Sequence, residues 1–351
     1  MRNGKSIPHP YRSLSSGEWP ESDRRAWEEA CRPGLRLKAG GAASGYAEES
    51  REDFAGRYGA YLGFLQRTGR LKPDLAATIL VTPENVEAYI AELHGRRVRS
   101  VTVWNCVYKL RRAAELMCPT RDFGWLAEIE KDLALVAQPR SKLDRLVFSH
   151  RLAEAGLRLI GEAHAIEDRF RRSVGIRNGL MLTVLALCPM RLKNFAGLEL
   201  GSTFKNIEGS WWITIPKSQT KAKRTPEERR LPALVTPHVQ FYLNDAREAL
   251  LAPDTKINAL WISSTTGQAF TRKNLGTLIS KLTREEIGID VSPHLFRTAA
   301  ATTAAAYATH LPHLASAVLG HADERITEEH YNRASSVHAA NVLSDIIANL
   351  G

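Results

Sequence analysis

The sequence predicts a mainly α-helical protein that contains one small antiparallel β-sheet. From about residue 47 to 137, apolar residues recur at three- and four-residue spacing, which is typical of amphipathic helices. Helical patterns resume at about 149, and a short aromatic and β-branched segment at 210–216 interrupts them as a strand. The 351 residues exceed what one hydrophobic core usually organises, so we expect two domains.

Residues 1–45 are expected to form a flexible N-terminal segment. The stretch PGLRLKAGGAASG at 33–45 is rich in glycine and carries charge, a composition typical of flexible chain. A short helix is compatible with the sequence ESDRRAWEEA within this segment.

A compact domain of four or five helices is predicted over residues 46–137. Thr82 followed by Pro83 marks one helix start, because a capping hydroxyl precedes a proline at the first helical position. Ser100 is a plausible cap for the next helix, and GWLAEIEKDLALV predicts the last one. The first helix of the domain has an apolar face made by Phe54, Tyr58, Tyr61, Leu62 and Leu65.

Basic residues cluster in the helical domain and just after it. Arg96, Arg97 and Arg99 precede a predicted helix, where cations oppose the helix dipole and do not stabilise the helix. A phosphate backbone would supply matching anions, and the net charge of +10 favours a polyanionic partner. For any single residue, a solvated surface position is the alternative. The DNA-binding candidates are Arg96, Arg97, Arg99, Lys109, Arg112, Arg140 and Lys142.

Residues 138–148 predict a basic linker, because Pro139 and the loss of periodicity end the helical pattern. A second domain then begins at about 149 with two helical segments, SHRLAEAGLRLIGEA and SVGIRNGLMLTVLALCPM. In the strand pair that follows, SWWITIP at 210–216 can pair with RRLPALV at 229–235. Helices are predicted again from there to the end of the chain.

Several classes of protein are disfavoured by composition. The four cysteines contain no C-x-x-C pair, which argues against a zinc site and against a disulfide framework. The most apolar run, at 180–190, is too short to span a bilayer, and the N-terminus has no apolar signal-peptide core. We therefore expect a cytoplasmic protein with no membrane partner.

Four separated segments of the second domain carry residues suited to phosphate chemistry. The segment LCPMRLKNFAGLEL ends a buried helix at Pro189 and places an arginine just after it. A basic turn, KSQTKAKRTPEE, lies between the two strands, and HLFR and LGHADERITEEHY follow downstream. The candidate residues are Arg191, Lys221, His294, Arg297, His321 and Tyr331.

These segments, in this order, resemble the tyrosine recombinases, the phage-integrase family. LGHADERITEEHY is similar to the family's G-H, Thr and Tyr signature, and IPKSQTKAKR…RLP is similar to its lysine-bearing hairpin. The resemblance covers a catalytic domain at 149–334, and the helical domain at 46–137 resembles the family's DNA core-binding domain more loosely. It implies a site-specific recombinase or integrase that acts on double-stranded DNA, with no cofactor and no metal.

The resemblance also implies a role for each candidate residue. Arg191 and Arg297 would bind the phosphate oxygens, with His294 and His321 as hydrogen-bond donors or proton carriers. Tyr331 would be the nucleophile that forms a 3′-phosphotyrosine, and Lys221 would protonate the leaving 5′-oxygen. Pro293 and the cap candidate Ser292 place His294 and Arg297 at a helix N-terminus, which favours anions.

Alternatives remain open at several of these positions. Lys217 and Lys223 compete with Lys221 on the same turn, and Tyr307 is a second tyrosine downstream of HLFR. Taken singly, Arg191 could cap a helix C-terminus, and the two histidines could be buried structural residues. Asn194 and Thr298 depart from the family pattern, which often has Glu and His there.

The end of the chain predicts an assembly element. Residues 335–351 form a candidate amphipathic helix with a strong apolar stripe. The resemblance leads us to expect that it docks into a neighbouring protomer, and packing onto its own domain is the alternative. The resemblance implies a homo-tetramer on DNA, with accessory or sister recombinases as further partners. The rival functions are a catalytically silent DNA-binding partner of another recombinase and a type IB topoisomerase-like enzyme.

Overall fold

The structure is a computed structural model that describes residues 11–139, 143–220 and 226–307. The chain divides into two compact units, Met1–Ser141 and Lys142–Gly351. Three of the six candidate catalytic residues, Lys221, His321 and Tyr331, lie outside the described residues. The same is true of Arg140, Lys142 and the expected C-terminal helix at 335–351.

The described part of the first unit is helical. Thr82 caps α3 as predicted, since its hydroxyl accepts a hydrogen bond from the Asn85 N–H at 3.4 Å. Ser100 is not the cap of α4: that position is Arg99, and the Ser100 hydroxyl accepts from the Gln138 N–H at 2.9 Å. The helices are α1 (Glu21–Cys31), α2 (Glu48–Arg67), α3 (Pro83–Gly95), α4 (Ser100–Met117) and α5 (Gly124–Leu135).

The five residues of the predicted apolar face of α2 are all buried. They share one core with residues from α1, α3 and α4, where Tyr58 packs edge-on against Trp19 with ring centroids 5.1 Å apart. The periodicity of this helix therefore identifies the core side correctly, as expected for a long amphipathic segment.

The N-terminal segment differs from the expected flexible chain over residues 11–45. Trp19 and Trp27 lie in the core of the unit, and the indole N–H of Trp19 donates to the Leu14 carbonyl at 3.1 Å. Asp23 is 6% exposed and accepts hydrogen bonds from the Tyr58 hydroxyl and from the Thr78 N–H. Contacts with distant residues order this segment despite its glycine- and charge-rich composition.

The second unit begins with two helices in close contact, α6 (Ser149–His164) and α7 (Arg169–Leu187). They approach at Gly156 and Gly179, where a Cβ on Gly156 would lie 2.6 Å from the Gly179 carbonyl oxygen. The later helices are α8 (Leu192–Ala196), α9 (Thr236–Phe241), a π-helical turn (Tyr242–Ala246), α10 (Arg247–Leu250), α11 (Arg272–Ile287) and α12 (Pro293–Tyr307).

A three-stranded antiparallel sheet follows α8, in the order β1 (Phe204–Ile207), β2 (Ser210–Ile215) and β3 (Glu227–Arg230). The predicted pairing of β2 with the returning segment is present, and β1 is an additional strand that was not predicted. The third strand is shorter than the segment 229–235 suggested, because Pro232 has no N–H to donate.

The register of β2 and β3 determines which charged residues face the core. Ile213 pairs with Arg229 and Ile215 pairs with Glu227, and residues directly opposite in an antiparallel pair share one face. Both isoleucines are buried, so Glu227 and Arg229 lie on the inner face of the sheet. Glu228 and Arg230 alternate onto the outer face and are exposed.

Within the residues that the structure describes, no helix is long and apolar enough to cross a membrane.

Candidate active site

Arg191 lies at the start of a helix that directly follows the buried helix α7. Cys188 ends α7, and Pro189 cannot continue it because proline lacks the N–H that the helix needs. Arg191 is the N-cap residue of the short helix α8, with extended backbone angles (φ −68°, ψ 140°). The sequence therefore predicted its local position correctly, and a role as a C-terminal helix cap does not apply.

Arg297 comes to the same place from α12. Its side chain is buried, with the residue 6% exposed, and Nη1 donates a hydrogen bond to the Pro189 carbonyl oxygen at 3.3 Å. This bond ties α12 to the turn that carries Arg191. His294 lies three residues earlier on α12 and is exposed, so it is not a buried structural histidine.

A carboxylate from the sheet joins the two helices at this point. Glu227 Oε1 lies 3.1 Å from Arg191 Nη1, and Glu227 Oε2 lies 3.4 Å from Arg229 Nη2. The side chains of Glu227 and Arg229 are each 14% exposed. We call Arg191, Glu227, Arg229 and Arg297 the arginine cluster.

The charges of the arginine cluster act on Arg297. Burial lowers the pKa of Arg297 to about 10; repulsion from Arg191 and Arg229 acts in the same direction, while Glu227 opposes it. The protonated guanidinium is therefore less favourable in the folded protein than in the unfolded chain. At neutral pH Arg297 is still charged, so the fold holds a cation near other cations at a cost in stability.

Such an arrangement suits an oxyanion. Guanidinium groups are planar and charged at all ordinary pH values, and they can donate two parallel hydrogen bonds to phosphate or carboxylate oxygens. Desolvation makes each such interaction stronger than it would be in bulk water. Arg191 and Arg297 thus carry the donor groups that phosphate binding requires.

Glu227 and Arg229 were missed in the sequence. Their segment, EERR, resembles a polar strand end, and four consecutive charged residues suggest a solvated surface. The available signal was the alternation of the sheet, since every second residue of a strand paired with an apolar strand faces the core. Using that signal required the register of β2 and β3, which could not be inferred from the sequence pattern.

Beside the cluster, Asn194 is a buried polar residue of α8 that is 3% exposed. Its amide nitrogen has no hydrogen-bond partner among the residues that the structure describes. This is the position where the resemblance leads one to expect a glutamate. The departure from the family pattern therefore coincides with a polar group that is not satisfied locally.

The basic residues of the first unit have varied surroundings. Arg96 follows the last residue of α3, so this cation lies at a helix C-terminus and not only before a helix start. It pairs with Glu92 at 3.4 Å and stacks over the Tyr11 ring at 4.0 Å. Lys109 pairs with Asp53, and Arg112 pairs with Glu115.

Arg97 and Arg99 differ from these three. Both are exposed in the turn before α4, and Arg97 has a left-handed backbone conformation (φ 54°). Neither makes an ion pair or a side-chain hydrogen bond with any residue in the described ranges. The expected DNA-binding set therefore divides into internally paired cations and cations that face solvent.

Among the described residues, no group of three or more His, Cys, Asp or Glu side chains is placed to hold a metal ion.

Comparison with solved structures identifies the architecture. The XerH site-specific recombinase bound to its difH substrate is 16% identical, with 95% of this chain and 99% of that chain covered and a TM-score of 0.57. The Tn1549 transposon integrase in complex with transposon right-end DNA is 13% identical, with coverage of 91% and 98% and a TM-score of 0.55.

A second complex of the Tn1549 integrase, with a circular intermediate DNA, is 12% identical, covers 88% of this chain and 94% of that chain, and has a TM-score of 0.52. No protein-family model matches the chain, and no curated protein matches it in sequence. The chain thus has the fold of the tyrosine recombinases, as its sequence motifs predicted.

Proposed function

We propose that the protein is a site-specific DNA recombinase or integrase that cleaves and rejoins duplex DNA through a 3′-phosphotyrosine. The observation that carries this proposal is the convergence of Arg191 and Arg297, from two helices distant in sequence, on the turn that contains Pro189. The fold shared with solved recombinase and integrase structures supports it.

The arginines would act on the scissile phosphodiester. Attack at phosphorus builds negative charge on the non-bridging oxygens, and Arg191 and Arg297 would bind those oxygens more tightly as the charge grows. His294 is exposed one helical turn before Arg297 and can reach an anion bound there as a hydrogen-bond donor. His321 would donate to a further oxygen.

The covalent step would use Tyr331 and Lys221. The Tyr331 phenol, with an ordinary pKa near 10, would lose its proton more readily beside the arginines, and His294 or solvent would accept that proton. Its oxygen would bond to phosphorus as the bond from phosphorus to the 5′-oxygen breaks, and Lys221 would protonate the leaving oxygen. A 5′-hydroxyl from another strand would reverse the step, so the phosphodiester is conserved.

The rest of the chain would serve recognition and assembly. The first unit would bind the core DNA sequence, with Arg97 and Arg99 among its phosphate contacts. Residues 335–351 would join protomers into a tetramer on the recombination site, together with any accessory or sister recombinases. The similarity to a transposon integrase supports a role in integration and excision of a mobile element.

A covalent-trapping assay tests the proposal. The wild-type protein is incubated with nicked suicide duplexes that cover the ends of the element or locus carrying the gene. Denaturing gels then detect any covalent protein–DNA adduct. The variants are Tyr331→Phe and, as a matched control, Tyr307→Phe, whose ring packs edge-on against Phe148 and His150 at the end of α12.

We expect an adduct with the wild type and with Tyr307→Phe, and none with Tyr331→Phe. An adduct that survives Tyr331→Phe would contradict the assignment of the nucleophile. Sequence-specific binding with no adduct would favour the silent DNA-binding partner. Relaxation of supercoiled plasmid by monomers at any sequence would favour a type IB topoisomerase-like enzyme.

A further inference from the structure

Two charged side chains lie within the arginine cluster but have no part in the chemistry proposed above. Glu227 bridges Arg191 and Arg229 through its two oxygens, at 3.1 Å and 3.4 Å. Arg229 is a third guanidinium, and the shared Glu227 carboxylate holds it near Arg191. Burial lowers the pKa of Arg297, and the charges of Arg191 and Arg229 act in the same direction.

Strand geometry directs both residues inward. Glu227 pairs across the sheet with Ile215, and Arg229 pairs with Ile213, and both isoleucines are buried. A charged side chain on such a face loses hydration, which is unfavourable unless a partner compensates. Glu227 therefore compensates both Arg191 and Arg229.

The cluster is a poor arrangement for stability alone. A half-buried ion pair returns little net free energy after desolvation, and adding a second and third cation introduces repulsion. An apolar side chain at 229 would match the buried isoleucine opposite it. Instead, one carboxylate pairs with two guanidiniums, and the charges of all three groups act on a third guanidinium, that of Arg297.

We propose that Arg229 is a third phosphate-binding arginine of this site and that Glu227 is the positioning residue that holds Arg191 and Arg229 beside Arg297. The proposal rests on the proposed function. It assigns to Arg229 direct contact with the phosphate oxygens and to Glu227 an effect exerted only through the two arginines.

The two roles predict opposite changes in phosphate affinity when the residues are replaced. Removing the charge of Glu227 leaves the guanidiniums less neutralised, so a free anion binds more tightly. The same change releases Arg191 and Arg229 from their fixed geometry, so strand cleavage slows. Removing Arg229 weakens anion binding and slows cleavage together.

Inorganic phosphate is the first probe. The rise in melting temperature that phosphate produces over chloride, at constant ionic strength, reports its binding to the folded full-length protein. We expect Glu227→Gln to bind phosphate at least about threefold more tightly than the wild type. We expect Arg229→Ala to bind it about tenfold more weakly, with Arg229→Lys in between.

The chain offers matched controls on the same strand. Glu228 and Arg230 have the same side-chain types but lie on the outer face, where Arg230 donates to the Ser210 hydroxyl at 2.9 Å. Glu228→Gln and Arg230→Ala should leave the phosphate response unchanged. Melting temperatures in chloride show whether each variant is folded, and Glu227→Ala is a second charge-removing variant if Glu227→Gln does not fold.

Single-turnover cleavage of the suicide duplexes is the second readout. At saturating DNA, we expect rates about 10- to 100-fold lower for Arg229→Ala and about tenfold lower for Glu227→Gln. Glu227→Asp should recover part of the rate. A purely structural role would lower the melting temperature in chloride and would not produce tighter phosphate binding with slower cleavage.

The outcomes separate this inference from the proposed function. If the inner-face and outer-face variants behave alike in phosphate binding, the roles of Arg229 and Glu227 are wrong, whether or not the wild type cleaves DNA. If phosphate binding changes as expected but no protein forms an adduct, the three-arginine site stands and the recombinase function fails.

Discussion

Two arginines, one in each unit of the molecule, have opposite electrostatic surroundings. In the helical unit, Arg111 lies 2.6 Å from both Glu115 and Glu130, and these hydrogen bonds and charges outweigh burial and raise its pKa. In the second unit, burial and two other arginines lower the pKa of Arg297 to about 10. Folding therefore favours the charged form of Arg111 and disfavours the charged form of Arg297.

The two arginines differ in the carboxylates that are available to balance their charge. Arg111 has two carboxylates on helices α4 and α5, so its charge is balanced within the unit. Within the described residues, Arg191, Arg229 and Arg297 converge with Glu227 as their carboxylate. A site of this kind gains from an anion that the solution supplies. Four predictions examine the contrast, from the largest expected effect to the smallest.

Replacing a guanidinium of the site with an ammonium group has the largest expected effect. Arg191→Lys or Arg297→Lys keeps the positive charge but removes the paired donors that match phosphate oxygens. We expect each to lower the single-turnover cleavage rate about 100- to 1,000-fold, as for loss of a transition-state donor. Arg67→Lys, which affects an ion pair with Glu92 in the other unit, should cleave like the wild type.

Asp23 tests whether polar groups in the helical unit serve the fold. Asp23→Ala leaves the buried Tyr58 hydroxyl and the Thr78 N–H without their acceptor. We expect the free energy of unfolding to fall by about 2 kcal/mol, measured by urea denaturation. Glu21→Ala, which removes an exposed partner of Arg25 on the same helix, should have an effect below about 0.5 kcal/mol. An effect of Asp23→Ala as small as that of Glu21→Ala would show that the hydrogen bonds of Asp23 contribute little to the fold.

Among the DNA-binding candidates that the structure describes, Arg97 and Arg99 make no ion pair within the helical unit. Replacing both by alanine should weaken binding to a duplex of arbitrary sequence and reduce the slope of log affinity against log salt by about 2. Lys109→Ala with Arg112→Ala, which removes cations already paired with Asp53 and Glu115, should change the slope by less than 1. The reverse order would move the DNA contact to the paired cations.

Replacing Asn194 has the smallest expected effect. Its buried amide nitrogen lacks a partner among the described residues, so Asn194→Leu should leave the melting temperature unchanged or raise stability by about 1 kcal/mol. Asn178 is the control, because its side-chain oxygen accepts from Arg177 at 2.7 Å. Asn178→Leu should lower the melting temperature. A loss of stability in Asn194→Leu as large as in the control would contradict this account of the site.

The parts of the fold that follow local rules were predictable from the sequence. The face of α2, the cap at Thr82 and the position of Arg191 after a proline all depend on residues within a few positions of one another. The pairing of β2 with the strand after the basic turn was also visible, since β-branched and aromatic residues distinguish it.

The parts that were missed depend on contacts between distant residues. Trp19 and Trp27 hold an otherwise glycine- and charge-rich segment in place, and Ser100 bonds to Gln138 instead of capping its own helix. The inward direction of Glu227 and Arg229 follows from pairing with Ile215 and Ile213. The arginine motifs therefore indicated the place of the site, and the sheet register supplied its remaining members.

The most direct test of the contrast is to measure stability and cleavage together for Arg111→Met and Arg297→Met. Arg111→Met should lower the melting temperature by about 5 °C and still cleave the suicide duplex. Arg297→Met, which removes a buried charge repelled by its neighbours, should melt no lower than the wild type and show no cleavage. If Arg297→Met is destabilised as much as Arg111→Met, the Arg297 guanidinium stabilises the fold. The contrast between the two arginines is then wrong.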